Sequence, residues 1–237
     1  MRKFIIIIAV ALSILFTACN KGGGKIKVRP NPEAVYVLVD NTDSSGSRMD
    51  LVPSEKITKL VGGTGEITFR AINGTNSNSI EKAWIHTPYP LDSVTPLVLE
   101  TDYIDKNAEK IEYLREKFLG SNPKGSTNSS IVKPLWEALI TLQKSKYPHK
   151  TVLIISDMIE NSQYGDFYHQ RDVKLIQKRL DSIGIQLPEN FKGLKVIVLF
   201  NANGDVKKDR NHDRVMEIFW RPWFKNHGII LEEKTNL

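Results

Sequence analysis

The chain has 237 residues, a formal net charge of +6 and a single cysteine. That length holds one domain with a sizeable core, and one cysteine excludes any intramolecular disulfide framework. The basic surplus is modest, and no stripe of alternating basic and aromatic residues marks a nucleic-acid surface.

The first element is an export leader. Arg2 and Lys3 precede an uncharged, mostly aliphatic run from Phe4 to Phe16, shorter than the ~20 residues a membrane-spanning helix needs. It ends in Phe16-Thr17-Ala18-Cys19, which resembles the lipobox of bacterial lipoproteins, with Phe16 in place of the usual aliphatic residue. The resemblance implies cleavage after residue 18, lipid attachment to Cys19 and anchorage in the bacterial cell envelope. Asn20 is not the aspartate associated with inner-membrane retention in enteric bacteria, which leans toward the outer membrane. The alternative is an uncleaved leader with an incidental cysteine. Residues 19–32 carry Gly22-Gly23-Gly24, several cations and two prolines, a composition that reads as a flexible tether. Residues 33–237 then form one domain.

Ala34 to Val39 is a short, β-branched apolar run and reads as an interior strand. It leads into Asp40-Asn41-Thr42-Asp43-Ser44, with a carboxylate and two hydroxyls at alternate positions where the chain must leave the sheet. Those hard oxygens suit Mg²⁺, Mn²⁺ or Ca²⁺, although Asp, Ser and Thr are also ordinary turn residues. A helix is predicted over Glu55 to Val61, then a strand over Glu66 to Ile72 whose Thr68 and Arg70 mark a wetter face. Gly62-Gly63-Thr64-Gly65 precedes that strand and reads as a turn rather than a phosphate loop. Ala83 to His86 is an antiparallel edge strand, and Lys106 to Leu119 a helix with Ala108, Ile111, Leu114 and Phe118 on one face.

Gly125-Ser126-Thr127-Asn128-Ser129-Ser130 is a hydroxyl-rich loop entering a helix that carries Ile131, Leu135, Leu139 and Leu142. Ser129 or Ser130 can cap that helix, and Pro134 sits harmlessly in its first turn. Thr151 to Met158 is a continuous apolar strand ending at Asp157, as a strand buried on both faces reads. Val173, Ile176, Leu180 and Ile183 mark another helix, Leu194 to Phe200 a buried strand, Asp213 to Asn226 a helix, and Ile229 to Leu231 a last strand. Four aromatics within Phe219 to Phe224 are either the inner face of that last helix, bent at Pro222, or an exposed docking patch.

Three of these segments together carry a resemblance. D-x-T-x-S at Asp40, Thr42 and Ser44 is similar to the D-x-S-x-S opening of the metal-ion-dependent adhesion site of von Willebrand factor A domains. The loop at Thr127 resembles that site's second segment, and Asp157 its third, where T-D-G is usual and Ser156 and Met158 replace the neighbours. The resemblance covers the chain from Ala34 onward. It implies a doubly wound, mostly parallel α/β sheet with helices on both faces, an antiparallel edge strand and the order 3-2-1-4-5-6. That order would bring Asp40 and Asp157 together at the strand-order reversal. It further implies one divalent cation, Mg²⁺ first and Mn²⁺ or Ca²⁺ as alternatives, held by Asp40, Thr42, Ser44, Thr127 and Asp157. A protein partner would supply a carboxylate to that ion.

No catalytic residues are predicted. Histidines 86, 149, 169, 212 and 227 are scattered without H-E-x-x-H spacing, and no G-x-S-x-G elbow occurs. A haloacid-dehalogenase-type phosphohydrolase would need an aspartate where Thr42 stands, and a two-lobed solute-binding protein would need more chain. A purely structural module with an idle metal site is the third alternative.

Overall fold

The structure is a computed structural model that describes residues 33–40, 42, 54–60, 65–72, 80–85, 107–114, 116, 128–169, 175, 178, 191–202 and 205–237. The leader, Cys19, the tether and most of the helix expected around residues 173–183 lie outside the described residues.

Six strands form the main sheet: β1 (Glu33–Asp40), β2 (Gly65–Ile72), β3 (Ile80–Ile85), β4 (His149–Ile155), β7 (Leu194–Leu199) and β8 (Ile230–Lys234). Between β4 and β7 lies a two-stranded hairpin, β5 (Asn161–Ser162) with β6 (Gly165–Asp166). The main sheet runs β3-β2-β1-β4-β7-β8, with every pairing parallel except β2 with β3. Counting only the main-sheet strands, this is the order 3-2-1-4-5-6. The chain therefore leaves β1 toward β2 on one side and returns to β4 on the other, so the reversal falls between β1 and β4.

β1 explains why helices cover both faces. Its side chains alternate, and all but Glu33 are buried. Ala34, Tyr36 and Leu38 face a core that includes helix α2 (Val132–Gln143) and the C-terminal helix. Val35, Val37 and Val39 face a second core with Ile57 of helix α1 (Ser54–Leu60) and Ile111 and Leu114 of the helical stretch 107–114. A strand covered on both sides has no polar face, hence its unbroken apolar sequence. The fold is thus doubly wound α/β, with an antiparallel edge strand. β8, at the far edge, carries Glu232, Glu233 and Lys234; such charges discourage pairing with another chain.

β2 does not have the wetter face its sequence predicts. Thr68 and Arg70 are buried, 3% and 6% exposed. Arg70 is tolerated because its guanidinium pairs with Glu137 on α2, across the face that β1's Tyr36 also lines.

The C-terminal helix starts earlier than its apolar pattern predicts, at Val206 rather than Asp213. It runs as α3 (Val206–Val215), a π segment (Met216–Trp220) and α4 (Arg221–Asn226). Asp205 caps it, its carboxylate accepting from the amides of Lys207 and Lys208. The π segment has a packing cause. Val215, Phe219 and Trp223 repeat every four residues, as do Met216, Trp220 and Phe224, and all six are buried. In a regular helix of 3.6 residues per turn such a repeat drifts by about 40° each turn. The wider π turn takes that drift back and keeps all six against the sheet. Arg221 N–H donates to Met216, five residues back, so Pro222 loses its amide where the regular ladder is already interrupted. The aromatics form a mutual cluster, with ring centroids 4.9 Å apart for Phe219–Trp220 and 5.6 Å for Trp220–Phe224. They are core, not a docking patch.

Glu137→Ala would leave Arg70 buried without its counter-charge. It is expected to cost about 1–3 kcal/mol in urea-unfolding stability, whereas Glu137→Gln, which keeps an acceptor, should cost less. Equal losses would contradict the pairing.

Candidate functional site

Parallel strands deliver their carboxyl ends to one edge of the sheet. Val39 of β1 is opposite Ile155 of β4, so the next residues out, Asp40 and Ser156, meet at the reversal. Asp40 is 4% exposed. Its Oδ1 accepts from the Thr42 amide at 3.0 Å and the Thr42 hydroxyl at 2.6 Å. Its Oδ2 accepts from the Ser129 hydroxyl at 3.0 Å and the Ser156 hydroxyl at 2.8 Å. Three separate loops therefore spend a hydroxyl proton on one carboxylate. Burial raises the Asp40 pKa, while the bonds from Thr42, Ser156 and Ser129 act to lower it. Every hydrogen-bond donor to it among the described residues is neutral.

The three hydroxyls differ in what they have left. A hydroxyl that donates its proton keeps two lone pairs. Ser156 Oγ already accepts from the Met158 amide at 2.9 Å, so it is partly occupied. Thr42 and Ser129 Oγ accept nothing among the described residues.

Asp157, one residue past Ser156, is 8% exposed, and its Oδ1 accepts from the Ile159 amide at 2.9 Å. Between them Met158 adopts φ 62°, a left-handed conformation costing an ordinary residue about 1–2 kcal/mol. Glycine, the usual residue after the aspartate in T-D-G, would adopt it freely. Met158 is held there by its neighbours: its side chain is fully buried, and its carbonyl accepts from Trp220 Nε1 at 2.8 Å. The Asp157 carbonyl accepts from His212 Nδ1 at 2.9 Å, and the Phe167 carbonyl from Arg214 Nη2 at 2.8 Å. The C-terminal helix thus grips the loop that carries Asp157 at two points and the chain just past the β5–β6 hairpin at a third.

The helix α2 is not capped by Ser129 or Ser130. Its N-cap is Ile131, which makes no side-chain cap. Ser129 is instead drawn to Asp40, and its backbone pairs with Asn161. The capping oxygen comes from Glu160: Oε2 accepts from the amides of Ile131 at 2.5 Å and Val132 at 2.7 Å, and Oε1 from the Ser162 hydroxyl. Glu160 is fully buried, and its pKa is raised to about 7. Burial is the main cause, opposed by those three hydrogen bonds, and the nearby Asp40 charge adds to the rise. Nothing in the sequence around Glu160 distinguishes it from an exposed loop glutamate.

Of the five residues expected to hold a cation, Asp40 and Thr42 are in direct contact and Asp157 is carried beside them on the adjoining loop. Ser44 and Thr127 lie outside the described residues. Ser129 and Ser156 join the constellation unexpectedly, although both flank predicted positions. No group of three or more His, Cys, Asp or Glu side chains suited to a metal occurs among the described residues. A hydroxyl-rich set needs none. A buried carboxylate with only neutral hydrogen-bond donors, ringed by hydroxyls with spare lone pairs, fits a hard divalent cation.

No protein-family model and no curated protein matches the chain. Among solved structures, the following two bear a weak likeness. The PilB minor pilin from Streptococcus sanguinis has a TM-score of 0.39 at 15% identity, over 88% of this chain and 58% of the pilin. The human COPII-coat protein Sec24c has a TM-score of 0.36 at 10% identity, over 87% of this chain and 30% of Sec24c. The chain spans less than two thirds of either, and no function is carried over from likenesses this low.

Glu160 leads to a pH prediction. Below pH 4.5 the group is protonated folded or unfolded; between there and about 7 only the folded chain keeps the proton. Its contribution to stability is therefore lost as pH rises through that window. Asp40, also raised, acts in the same sense. Glu160→Gln keeps an acceptor for the two amides and cannot titrate, so its melting temperature should fall less than wild type across the window. Parallel curves would contradict a titrating Glu160.

Proposed function

We propose that residues 33–237 are a von Willebrand factor A-like domain whose adhesion-type site binds a divalent cation and, through it, a carboxylate of a protein partner. The observation that carries this is Asp40, a buried carboxylate at the strand-order reversal, drawing hydroxyls from three loops with no cationic hydrogen-bond donor to it among the described residues. Thr42 would hold the cation together with Ser44 and Thr127, and Asp40 and Asp157 would supply the negative charge. Few formal charges in that set leave a bound Mg²⁺, Mn²⁺ or Ca²⁺ electropositive, with a coordination position for an outside carboxylate. Asp40 keeps the hydroxyls oriented by accepting their hydrogen bonds, and the grip of His212 and Trp220 fixes where Asp157 stands. Met158, in a glycine-like conformation, supports the likeness to the T-D-G loop. The proposal includes a lipid anchor on Cys19, with residues 19–32 as a tether that lets the site search for its partner from an envelope membrane, the outer one by preference. Among the described residues no helix is long and apolar enough to cross a membrane.

One observation favours a second reading, a structural module with an idle site: Asp40's four hydrogen bonds are complete without a cation. Thermal melts of the full chain separate the two. An ion at a hundred times its dissociation constant stabilises the fold by about 2.7 kcal/mol. A rise in melting temperature with Mg²⁺, Mn²⁺ or Ca²⁺ that vanishes in Asp157→Ala supports the cation site; no rise with any of the three supports the idle module.

Partner binding in envelope extracts should be lost with chelator, restored by Mg²⁺ or Mn²⁺, and absent in Thr127→Ala. Retention with chelator would place the binding face elsewhere. Cys19→Ser should abolish lipidation; a wild-type mass that retains residues 1–18 without lipid would refute the anchor.

A further inference from the structure

The first amides of helix α2 have no partner within the helix and need acceptors from outside it. Ser129 stands where such an acceptor usually comes from. As an ordinary N-cap it would offer Oγ to the amides two and three residues on, those of Ile131 and Val132. Those are the two amides that Glu160 Oε2 takes, at 2.5 and 2.7 Å. Ser129 Oγ donates to Asp40 Oδ2 instead, at 3.0 Å. A serine hydroxyl turned to the helix would be lost to Asp40, and Glu160 occupies the place to which it would turn.

Glu160 is fixed in that place from several sides. It is fully buried, and its Oε1 accepts from the Ser162 hydroxyl. The next residue, Asn161, pairs with Ser129 in both directions: the Ser129 N–H donates to the Asn161 carbonyl at 3.0 Å, and the Asn161 N–H to the Ser129 carbonyl at 2.8 Å. Two consecutive residues thus join the loop before α2 to the chain that leaves Asp157. That chain is anchored in turn. The Phe167 N–H donates to the Glu160 carbonyl at 2.8 Å, and the Phe167 ring is buried against Phe219 with centroids 4.9 Å apart. The β5–β6 turn closes over that ring, since a Cβ at Gly165 would stand 2.9 Å from Phe167 Cε1. The aromatic core backs the hairpin, the hairpin backs Glu160, and Glu160 holds the start of α2. With its pKa raised to about 7, Glu160 carries a proton part of the time at neutral pH. A proton on Oε1 is donated to the Ser162 hydroxyl, and Oε2 still accepts both amides.

We propose that Glu160 is a positioning residue of the site at Asp40: by occupying the Ile131 and Val132 amides it frees Ser129 for Asp40, and with Asn161 it clasps the loop before α2 to the loop of Asp157. Glu160 itself contacts no cation. It acts through Ser129 and through the loop that carries Thr127, two residues upstream. Its effect on cation affinity rests on the cation-site reading; the clasp does not. Without Glu160, Ser129 returns to the helix, Asp40 loses one of its three hydroxyl donors, and two of the site's loops come apart.

The test compares the full chain with Glu160→Ala, Glu160→Gln, Ser129→Ala and, as a variant destabilised away from the site, Glu137→Ala. Glutamine keeps an oxygen for both amides and an N–H for the Ser162 hydroxyl. Amide hydrogen exchange is followed by NMR with chelator present. In Glu160→Ala the Ser129 and Asn161 amides should exchange about tenfold faster or more, beyond any change in Glu137→Ala, and Glu160→Gln should restore them. Ser129→Ala should leave the Ile131 and Val132 amides protected, because their acceptor is Glu160. Mn²⁺ affinity is read from the EPR signal of the free ion at a temperature where the variants are folded. It should fall about tenfold or more in Glu160→Ala and Ser129→Ala, recover in Glu160→Gln, and hold in Glu137→Ala. A Glu160 that only stabilises the fold would leave the affinity of the folded protein unmoved. Unchanged protection of Ser129 and Asn161 in Glu160→Ala, unchanged Mn²⁺ affinity in that variant, or faster exchange at Ile131 and Val132 in Ser129→Ala would overturn the role. Should Glu160→Ala not fold, Ser129→Ala decides. A wild type that takes up no Mn²⁺ would sink the cation reading, and the exchange results would still decide the clasp.

Discussion

A carboxylate at the end of a strand buried on both faces has lost most of the water that would stabilise its charge. Asp40 is in that position, and much of the sheet's carboxyl edge is arranged around it. Four donors from three loops converge on its two oxygens. Removing any one leaves the charge less compensated, so each loop is constrained by the others. Ser129 is drawn away from capping its helix to serve Asp40, and Glu160, itself buried, takes over the cap. The Asp40 charge in the same dry region adds to the rise in the Glu160 pKa.

The same edge is held from behind by the C-terminal helix. Its π segment keeps six large side chains on one face and lets the Trp220 indole N–H reach the Met158 carbonyl. Met158 can then remain in a strained conformation because burial and hydrogen bonding over-determine it. Strain of this sort aims the neighbouring Asp157. Packing in the core and geometry at the site are thus a single problem here, and a mutation in the aromatic cluster is a mutation of the loop as well.

Much of this was legible in sequence. Unbroken apolar runs at 34–39, 151–155 and 194–199 read as interior strands, and the resemblance to A domains implies the strand order whose reversal brings Asp40 beside the end of the Thr151 strand. Of the two readings open for the aromatic segment, core is the one that holds, because its spacing suits one helical face. What escaped was set by partners far away in sequence. Arg70 read as exposed because its counter-ion, Glu137, is on another element altogether. Glu160 is not singled out by the sequence because nothing local shows that two amides nearly thirty residues earlier need it. The start of the last helix was missed because α3 buries only His212 and Val215, leaving too little apolar periodicity to detect. The cation site itself rests on resemblance and on the chemistry around Asp40.

Diffraction from crystals soaked in Mn²⁺, measured for anomalous scattering, tests the central claim most directly. The account predicts a single anomalous peak beside Asp40, about 2.0–2.6 Å from hydroxyl oxygens that include Thr42, with the carboxylate still accepting their hydrogen bonds. Crystals that show no peak there at millimolar Mn²⁺, with all four hydrogen bonds to Asp40 intact, would contradict it. Asp40 would then be a structural knot, complete in itself.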